Sequence, residues 1–412
     1  MESLPASTTR PSRATPGALV IGQSGGPTAV INASLVGAVR TALASDLVGG
    51  VYGARFGIRG VLDRDLLDLH AEPPGTWDAL LRTPSAALGA CRFRLDDDTT
   101  LQALDGLRAL GARYFIYIGG NDSADTAHRL AQAARAADYD LRIICVPKTI
   151  DNDLPATDHC PGYGSAARFI ALATMDSALC TLTMPDHYPV KIIEVMGRDA
   201  GWLAAASALG QARPEDPPHL IYTPERPWRA ARFLADVRAV HQEYGFVVVV
   251  VAETVRDETG QALGAIASTG VDAFGHHLLS GAAQYLVSLV IEELGLRARF
   301  DKPGDLQRMS SLAVSDVDRR EAELVGRAAV QAALAGETDK MVTLVRVPGD
   351  EYRCEMGLAE LADIANATRP LPPAFLSATG TSVTEAFRAY ALPLVGAPLP
   401  RYARLGAAPH AW

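Results

Sequence analysis

What the chain has little of narrows its function first. It holds five cysteines, Cys91, Cys145, Cys160, Cys180 and Cys354, widely spaced, odd in number and without a CxxC pair. That pattern offers neither a disulfide framework nor a zinc-ligand set, and it points to a reduced, cytoplasmic setting. Positive charge is also in deficit, 38 Lys plus Arg against 47 Asp plus Glu, for a net charge of −9. This argues against a nucleic-acid partner and leaves room for a locally basic pocket. No long hydrophobic run is present: the most apolar stretch, 246–252 (FVVVVVA), is far short of the roughly 20 residues that cross a bilayer, so no membrane association is expected. Residues 1–17, MESLPASTTRPSRATPG, lack the apolar core of a signal peptide; they are rich in Ser, Thr and Pro, and disorder is expected there.

What is present reads as an α/β protein. Short β-branched runs alternate with Ala/Leu-rich amphipathic stretches, the pattern of βα units around mainly parallel sheets. Strands are expected at 18–23, 114–119, 142–147, 190–196, 219–223, 246–253 and 340–347. A chain of 412 residues is long enough for two lobes with a cleft between them. The expected division is a lobe over 18–160, a second over 161–369 with the chain free to cross between the two, and a C-terminal extension over 370–412. Ligands of open α/β sheets gather at the carboxyl ends of strands, so the turns after these strands are the candidate site.

Each turn carries chemistry beside a plainer alternative. GQSGGPTAVINAS puts Gly25 and Gly26 between a strand and a helix expected from about Thr28; glycines there let backbone N–H groups approach a phosphate, or simply make a tight turn. The segment completes neither GxxxxGK[ST] nor GxGxxG, which disfavours a Walker-type NTPase or a dinucleotide enzyme. In GGNDS, Asn121, Asp122 and Ser123 are all good helix caps, while Asn121 and Asp122 also suit a hard cation such as Mg²⁺. VPKTIDND sets Lys148 and Thr149 beside Asp151, a combination that fits phosphoryl transfer, with Asp153 and Asp158 explained as solvated loop carboxylates. Arg198 in EVMGRDAGW and Arg92 in LGACRF are either surface cations or site residues. Glu253 ends the most apolar strand, and its carboxylate belongs at the cleft rim, where a hydroxyl-rich ligand would pair with it.

Taken together, SGGPTAVINA, LGACRF, GGNDS, PKTIDND, GYGSAA, EVMGRDAGW, VVVVAET and LQR follow the order and approximate spacing of the phosphofructokinases. The chain resembles their pyrophosphate-dependent branch over about residues 18–347. The resemblance implies two Rossmann-like lobes around a cleft in which fructose 6-phosphate is phosphorylated on its 1-hydroxyl, reversibly and with Mg²⁺, in glycolysis or gluconeogenesis. It implies Asp151 as general base, and Thr149 and Ile150 at the substrate. Met196, Gly197 and Arg198 would contact the sugar phosphate, with Arg198 also facing the transferring phosphoryl group. Glu253 would accept from sugar hydroxyls, and Arg308 would bind the 6-phosphate from its own or a neighbouring subunit. Gly25, Gly26 and Arg92 would line the donor site.

The resemblance also speaks to the donor. ATP-using relatives have Gly at the positions of Asp122 and Lys148; a carboxylate at Asp122 would repel the α-phosphate of ATP, and Lys148 would supply a cation to pyrophosphate. Asn121 stands where the family has a metal-binding Asp, which makes Asn121 and Asp122 together the candidate metal site. Pro189 stands where ATP-using relatives have an Arg reaching the sugar phosphate, with His187 or Lys191 as candidate replacements and sedoheptulose 7-phosphate as a second candidate sugar. A cytoplasmic homo-oligomer, preferably a dimer, completes the implied picture. Three alternatives stay open: the same chemistry with ATP, an NAD or lipid kinase of the GGD type, and a non-catalytic sugar-phosphate-binding regulatory protein.

Overall fold

The run VVVVVA from Val247 to Ala252 is buried at every position, as a strand covered on both faces must be. It is one of eleven strands in the computed structural model, which describes residues 17–263 and 281–403. The expectations for residues 1–16, and for 404–412 of the C-terminal extension, lie outside the described residues. In chain order the strands are β1 (Gly17–Gln23), β2 (Val48–Ala54), β3 (Leu66–Asp68), β4 (Ala112–Gly119), β5 (Arg142–Pro147), β6 (Val190–Val195), β7 (Leu220–Tyr222), β8 (Val247–Ala252), β9 (Ala298–Asp301), β10 (Lys340–Arg346) and β11 (Cys354–Glu360).

Among the described residues they form two sheets, ordered β11-β10-β5-β4-β1-β2-β3 and β7-β8-β6-β9. All pairings are parallel except β2 with β3 and β10 with β11. The first sheet has helices on both faces. Alternate residues of β4 divide between them: Phe115 and Tyr117 pack with Leu104 and Leu130 of the helices Asp97–Ala109 and Asn121–Ala136, while Ile116 and Ile118 pack with Leu35 and Val325 of the helices Ile31–Leu43 and Asp316–Leu334. The second lobe is built around β6 and β8, with Ile170, Phe233 and Leu286 from three helices in its core.

The chain crosses between lobes more than once. After β9 it returns to the first sheet, where Lys340 and Met341 of β10 pair with Ile144 and Cys145 of β5. It then goes back: Leu371, Leu376, Phe387, Leu394 and Val395 are buried in the core of the second lobe. A side chain such as Phe387, fully buried, contributes about 1.5–3 kcal/mol to holding that segment in place. The first sheet changes strand order between β1 and β4, so the turns after those two strands open on the crevice where ligands of such sheets bind. Among the described residues no helix is long and apolar enough to cross a membrane.

Candidate active site

Those turns and three others converge on a cavity of about 500 Å³ at the carboxyl ends of the strands. It is lined by Gly25, Gly26, Arg92, Asn121, Asp122, Lys148, Thr149, Ile150, Asp151, Met196, Arg198, Glu253 and Arg308. Of the residues that the resemblance assigns to the base, the substrates and the metal, Gly197 alone is not in the lining; its φ of 148° turns the chain there, and a Cβ would lie 2.7 Å from the Ala200 carbonyl oxygen.

The glycine pair after β1 works differently from the expectation. The helix begins at Ile31, not near Thr28, so Gly25 and Gly26 lie in an extended turn ahead of it. Two cations close over this turn. Lys148 Nζ donates to the Gly26 carbonyl at 2.9 Å, and a Cβ on Gly26 would stand 2.9 Å from Arg308 Nη1. Gly25 has a φ of 73°, a conformation that glycine adopts without a steric penalty.

After β4 the chain enters its helix at once. Asn121–Ala136 starts directly behind Gly120, and no side chain caps it. The capping explanation of GGNDS therefore does not apply: Asp122 sits inside the first turn, with Oδ2 3.8 Å from Arg198 Nη1. Asn121 turns its amide nitrogen to the Ala367 carbonyl, 2.6 Å away.

After β5 the turn is tied to itself. Asp151 N–H donates to Thr149 Oγ1 at 3.0 Å, and that hydroxyl faces Asp151 Oδ2 at 3.3 Å. Asn152 follows with φ 55°, a left-handed conformation that Asn tolerates, and it is anchored by Tyr390 Oη at 2.8 Å and by Cys160 N–H at 3.0 Å. This reversal buries Asp153, which is 3% exposed and also lines the cavity. The reading of Asp153 and Asp158 as solvated carboxylates is corrected here. Asp158 lies behind the cavity, in contact with the buried His159 ring at 2.9 Å and with Arg346 at 3.1 Å.

β6 delivers Met196 and Arg198, and β8 delivers Glu253. Arg198 holds a positive φ of 49°, which for such a residue costs on the order of 1–3 kcal/mol and persists only where its surroundings fix it. The Thr254 hydroxyl donates to its carbonyl, and its guanidinium lies between the two acids, with Nε 3.8 Å from Asp151 Oδ2. Lys191 and His187 do not line the cavity; Lys191 pairs with Asp301 at 3.1 Å on the neighbouring strand.

The electrostatics follow from crowding charge into a closed space. Burial, followed by the Arg198 charge, lowers the Lys148 ammonium to about 8, against the pull of Asp151. Burial raises the Asp151 carboxyl, with Arg198 and Lys148 opposing. Burial and the neighbouring Asp151 charge push Asp153 to about 6 and Glu253 to about 7. Such a site gathers anionic oxygens with Lys148, Arg92, Arg198 and Arg308 and keeps carboxylates able to take up a proton, the arrangement that phosphoryl transfer uses. Sequence reasoning passed over Asp153, Thr254 and Thr368 in the lining. The repeated Asp of TIDND was a usable signal for the first; nothing in the local sequence marks Thr368.

The family described as Phosphofructokinase matches residues 18–333. The chain is 44% identical over 395 residues to the pyrophosphate–fructose 6-phosphate 1-phosphotransferase of Rhodospirillum rubrum, covering 94% of this chain and 96% of the relative. It is 42% identical over 387 residues to the protein of that name in Xanthomonas campestris pv. campestris, covering 92% of each. Among solved structures, a pyrophosphate-dependent phosphofructokinase of Marinobacter aquaeolei superposes with a TM-score of 0.84 at 36% identity, over 94% of both chains.

Proposed function

The chain belongs to the phosphofructokinase family, and we infer that within it this is a pyrophosphate-dependent enzyme. It moves a phosphoryl group reversibly from pyrophosphate to the 1-hydroxyl of fructose 6-phosphate, giving fructose 1,6-bisphosphate and phosphate. The observation that carries the reading is the placement of Asp122 and Lys148, the two residues that distinguish the donor, in one cavity with Asp151 and Arg198.

In this reading Lys148, Arg92 and the Gly26 N–H hold pyrophosphate, while the Gly25 N–H is engaged with the Cys91 carbonyl at 3.2 Å and Gly25 supplies the turn. Glu253 accepts from the sugar hydroxyls, with Met196 and Ile150 beside them, and Arg308 takes the 6-phosphate. Asp151 removes the proton of the 1-hydroxyl as its oxygen bonds to the nearer phosphorus, and the bridging P–O bond breaks to release phosphate. Thr149 keeps the Asp151 carboxylate oriented, a role its 3.3 Å contact supports. Arg198, 3.8 Å from both Asp122 and Asp151, faces the phosphoryl group in transit and offsets its charge.

A divalent cation fits the same wall. Asp153 Oδ1 is buried without a hydrogen-bond partner, an oxygen of the hard type Mg²⁺ prefers. Asp122 and Asp153 are the carboxylates we assign to Mg²⁺; of the Asn121 and Asp122 pair Asp122 is the stronger ligand, because its oxygens carry charge and the Asn121 amide oxygen is neutral. Mg²⁺ bound there would shield the charge of the pyrophosphate oxygens. A cytoplasmic setting belongs to the reading and is supported by five free thiols. So does a dimer, supported by apolar surface on either side of Arg308: Leu306 is 65% exposed and Leu312 96%. Sedoheptulose 7-phosphate remains a second candidate sugar.

Two results are expected. Incubated with fructose 1,6-bisphosphate and phosphate, the enzyme should form pyrophosphate, visible by ³¹P NMR; its absence under conditions that support the forward reaction would contradict the reversible transfer. The second result concerns pH. Lys148 is a cation below about 8 and neutral above it, so kcat/KM for pyrophosphate should fall as pH rises through 8. Pyrophosphate bound against Lys148 favours the charged form, so kcat should stay flatter over the same range. In Lys148→Arg the alkaline limb should move out of the range; a limb left at pH 8 would show that another group causes it.

A further inference from the structure

The family match ends at residue 333, yet Thr368 lines the cavity. The stretch 366–369 (NATR) touches both halves of the donor wall. On one side, Asn366 Nδ2 donates to Asp125 Oδ1 at 3.0 Å, and the Ala367 carbonyl accepts from Asn121 Nδ2 at 2.6 Å; both partners lie in the helix that carries Asp122. On the other side, Arg369 N–H donates to the Asp153 carbonyl at 2.6 Å. The Arg369 guanidinium then donates to the carbonyls of Asn152 at 2.8 Å, Thr157 at 2.6 Å and Asp158 at 2.7 Å. It lies 4.7 Å over the Trp202 ring, whose Nε1 donates back to the Arg369 carbonyl at 3.2 Å.

A loop that bends away from its sheet leaves peptide carbonyls with no strand to pair them, and buried carbonyls left unpaired are costly. A guanidinium has five donors in a rigid plane and can satisfy several such carbonyls at once; an ammonium cannot match that geometry. Asn121 gains an explanation from the same contacts. Its amide nitrogen donates to a carbonyl and also faces the Asp153 carboxyl, whereas an Asp there would set a carboxylate against both.

We propose that residues 366–369 are a clip that fixes the spacing between the Asp122 helix and the loop carrying Asp151 and Asp153, with Arg369 as its positioning residue. The clip rests on the phosphoryl-transfer reading for its effect on rate, because a misplacement of about 1 Å in such a site can cost on the order of 10²-fold. Glu253 and Arg308, which hold the sugar, stand on other elements.

The test compares Arg369→Ala and Arg369→Lys with Phe387→Leu, which loosens the same C-terminal segment through its core contact and lies outside the site. Arg369→Ala should lower kcat about 10–100-fold with KM for fructose 6-phosphate changed less than about threefold, and Arg369→Lys should recover only part of the loss. Phe387→Leu should lower the melting temperature and leave kcat in place. Hydrogen–deuterium exchange should quicken across residues 148–160 in Arg369→Ala and not in Phe387→Leu. Kinetics are read with whichever donor supports turnover, so failure with pyrophosphate would sink the reading of the donor while the clip is still judged; exchange judges it without turnover. Equal kcat in Arg369→Ala and wild type, or unchanged exchange over 148–160, would overturn the clip.

Discussion

Asp151→Asn is expected to lower kcat by about 10²–10⁴-fold, the range over which a positioned base accelerates proton transfer. The substitution keeps size and shape, and the Thr149 hydroxyl at 3.3 Å can still donate to the amide oxygen, so the turn should not collapse. What disappears is a group able to take the proton of the 1-hydroxyl. Burial raises the Asp151 carboxyl, which makes it a better base than a solvated Asp, while the Arg198 and Lys148 charges oppose the rise. KM for fructose 6-phosphate should change little, because Glu253 and Arg308 hold the sugar. A secondary effect follows from the charge: Glu253, pushed to about 7 partly by Asp151, should titrate lower in the variant. Steady-state kinetics with calorimetric binding of the sugar phosphate separate the two; a kcat within tenfold of wild type would remove Asp151 from the role of base.

The second large effect concerns the donor. In Asp122→Gly, Lys148→Gly, kcat/KM for pyrophosphate should fall by roughly 10²–10³-fold and that for ATP should rise above the wild-type value. The loss follows from Lys148, a buried ammonium that the Gly26 carbonyl positions at 2.9 Å; removing the cation from its pairing with pyrophosphate costs about 2–5 kcal/mol, as for one partner of a buried charge pair. The gain follows from Asp122. Its carboxylate occupies the first turn of an uncapped helix, where backbone N–H groups and the helix dipole would otherwise attract phosphate. Asp122 therefore stands against a third phosphate and leaves two accommodated. No gain with ATP would mean that exclusion comes from elsewhere in the cavity.

How far the sequence disclosed this architecture depended on how local each signal was. β1, β4, β5, β6 and β8 were legible because buried parallel strands are runs of Val, Ile, Tyr and Phe. β2 was not, since Gly49, Gly50 and Gly53 dilute its pattern, and β9 is a four-residue strand that is only partly buried. The helix after β1 starts at Ile31, behind a turn in which Gly25 has a φ of 73° and Lys148 is bonded to the Gly26 carbonyl, a tertiary contact that Thr28 could not announce. The candidate site was largely readable, since its residues cluster at strand ends. Asp153 was misjudged because its burial depends on the Asn152 reversal and on Arg369, more than 200 residues further on. Thr368 and Arg369 carry no local signal at all; their place is set by a segment whose core contacts lie in the other lobe.

Selection of pyrophosphate by this site is open to direct measurement. With Mg²⁺ and fructose 6-phosphate present, turnover is measured with pyrophosphate and with ATP as separate donors. Fructose 1,6-bisphosphate should form with pyrophosphate, and kcat/KM should be at least about 10²-fold lower with ATP. Turnover with ATP equal to or above that with pyrophosphate would contradict that selection.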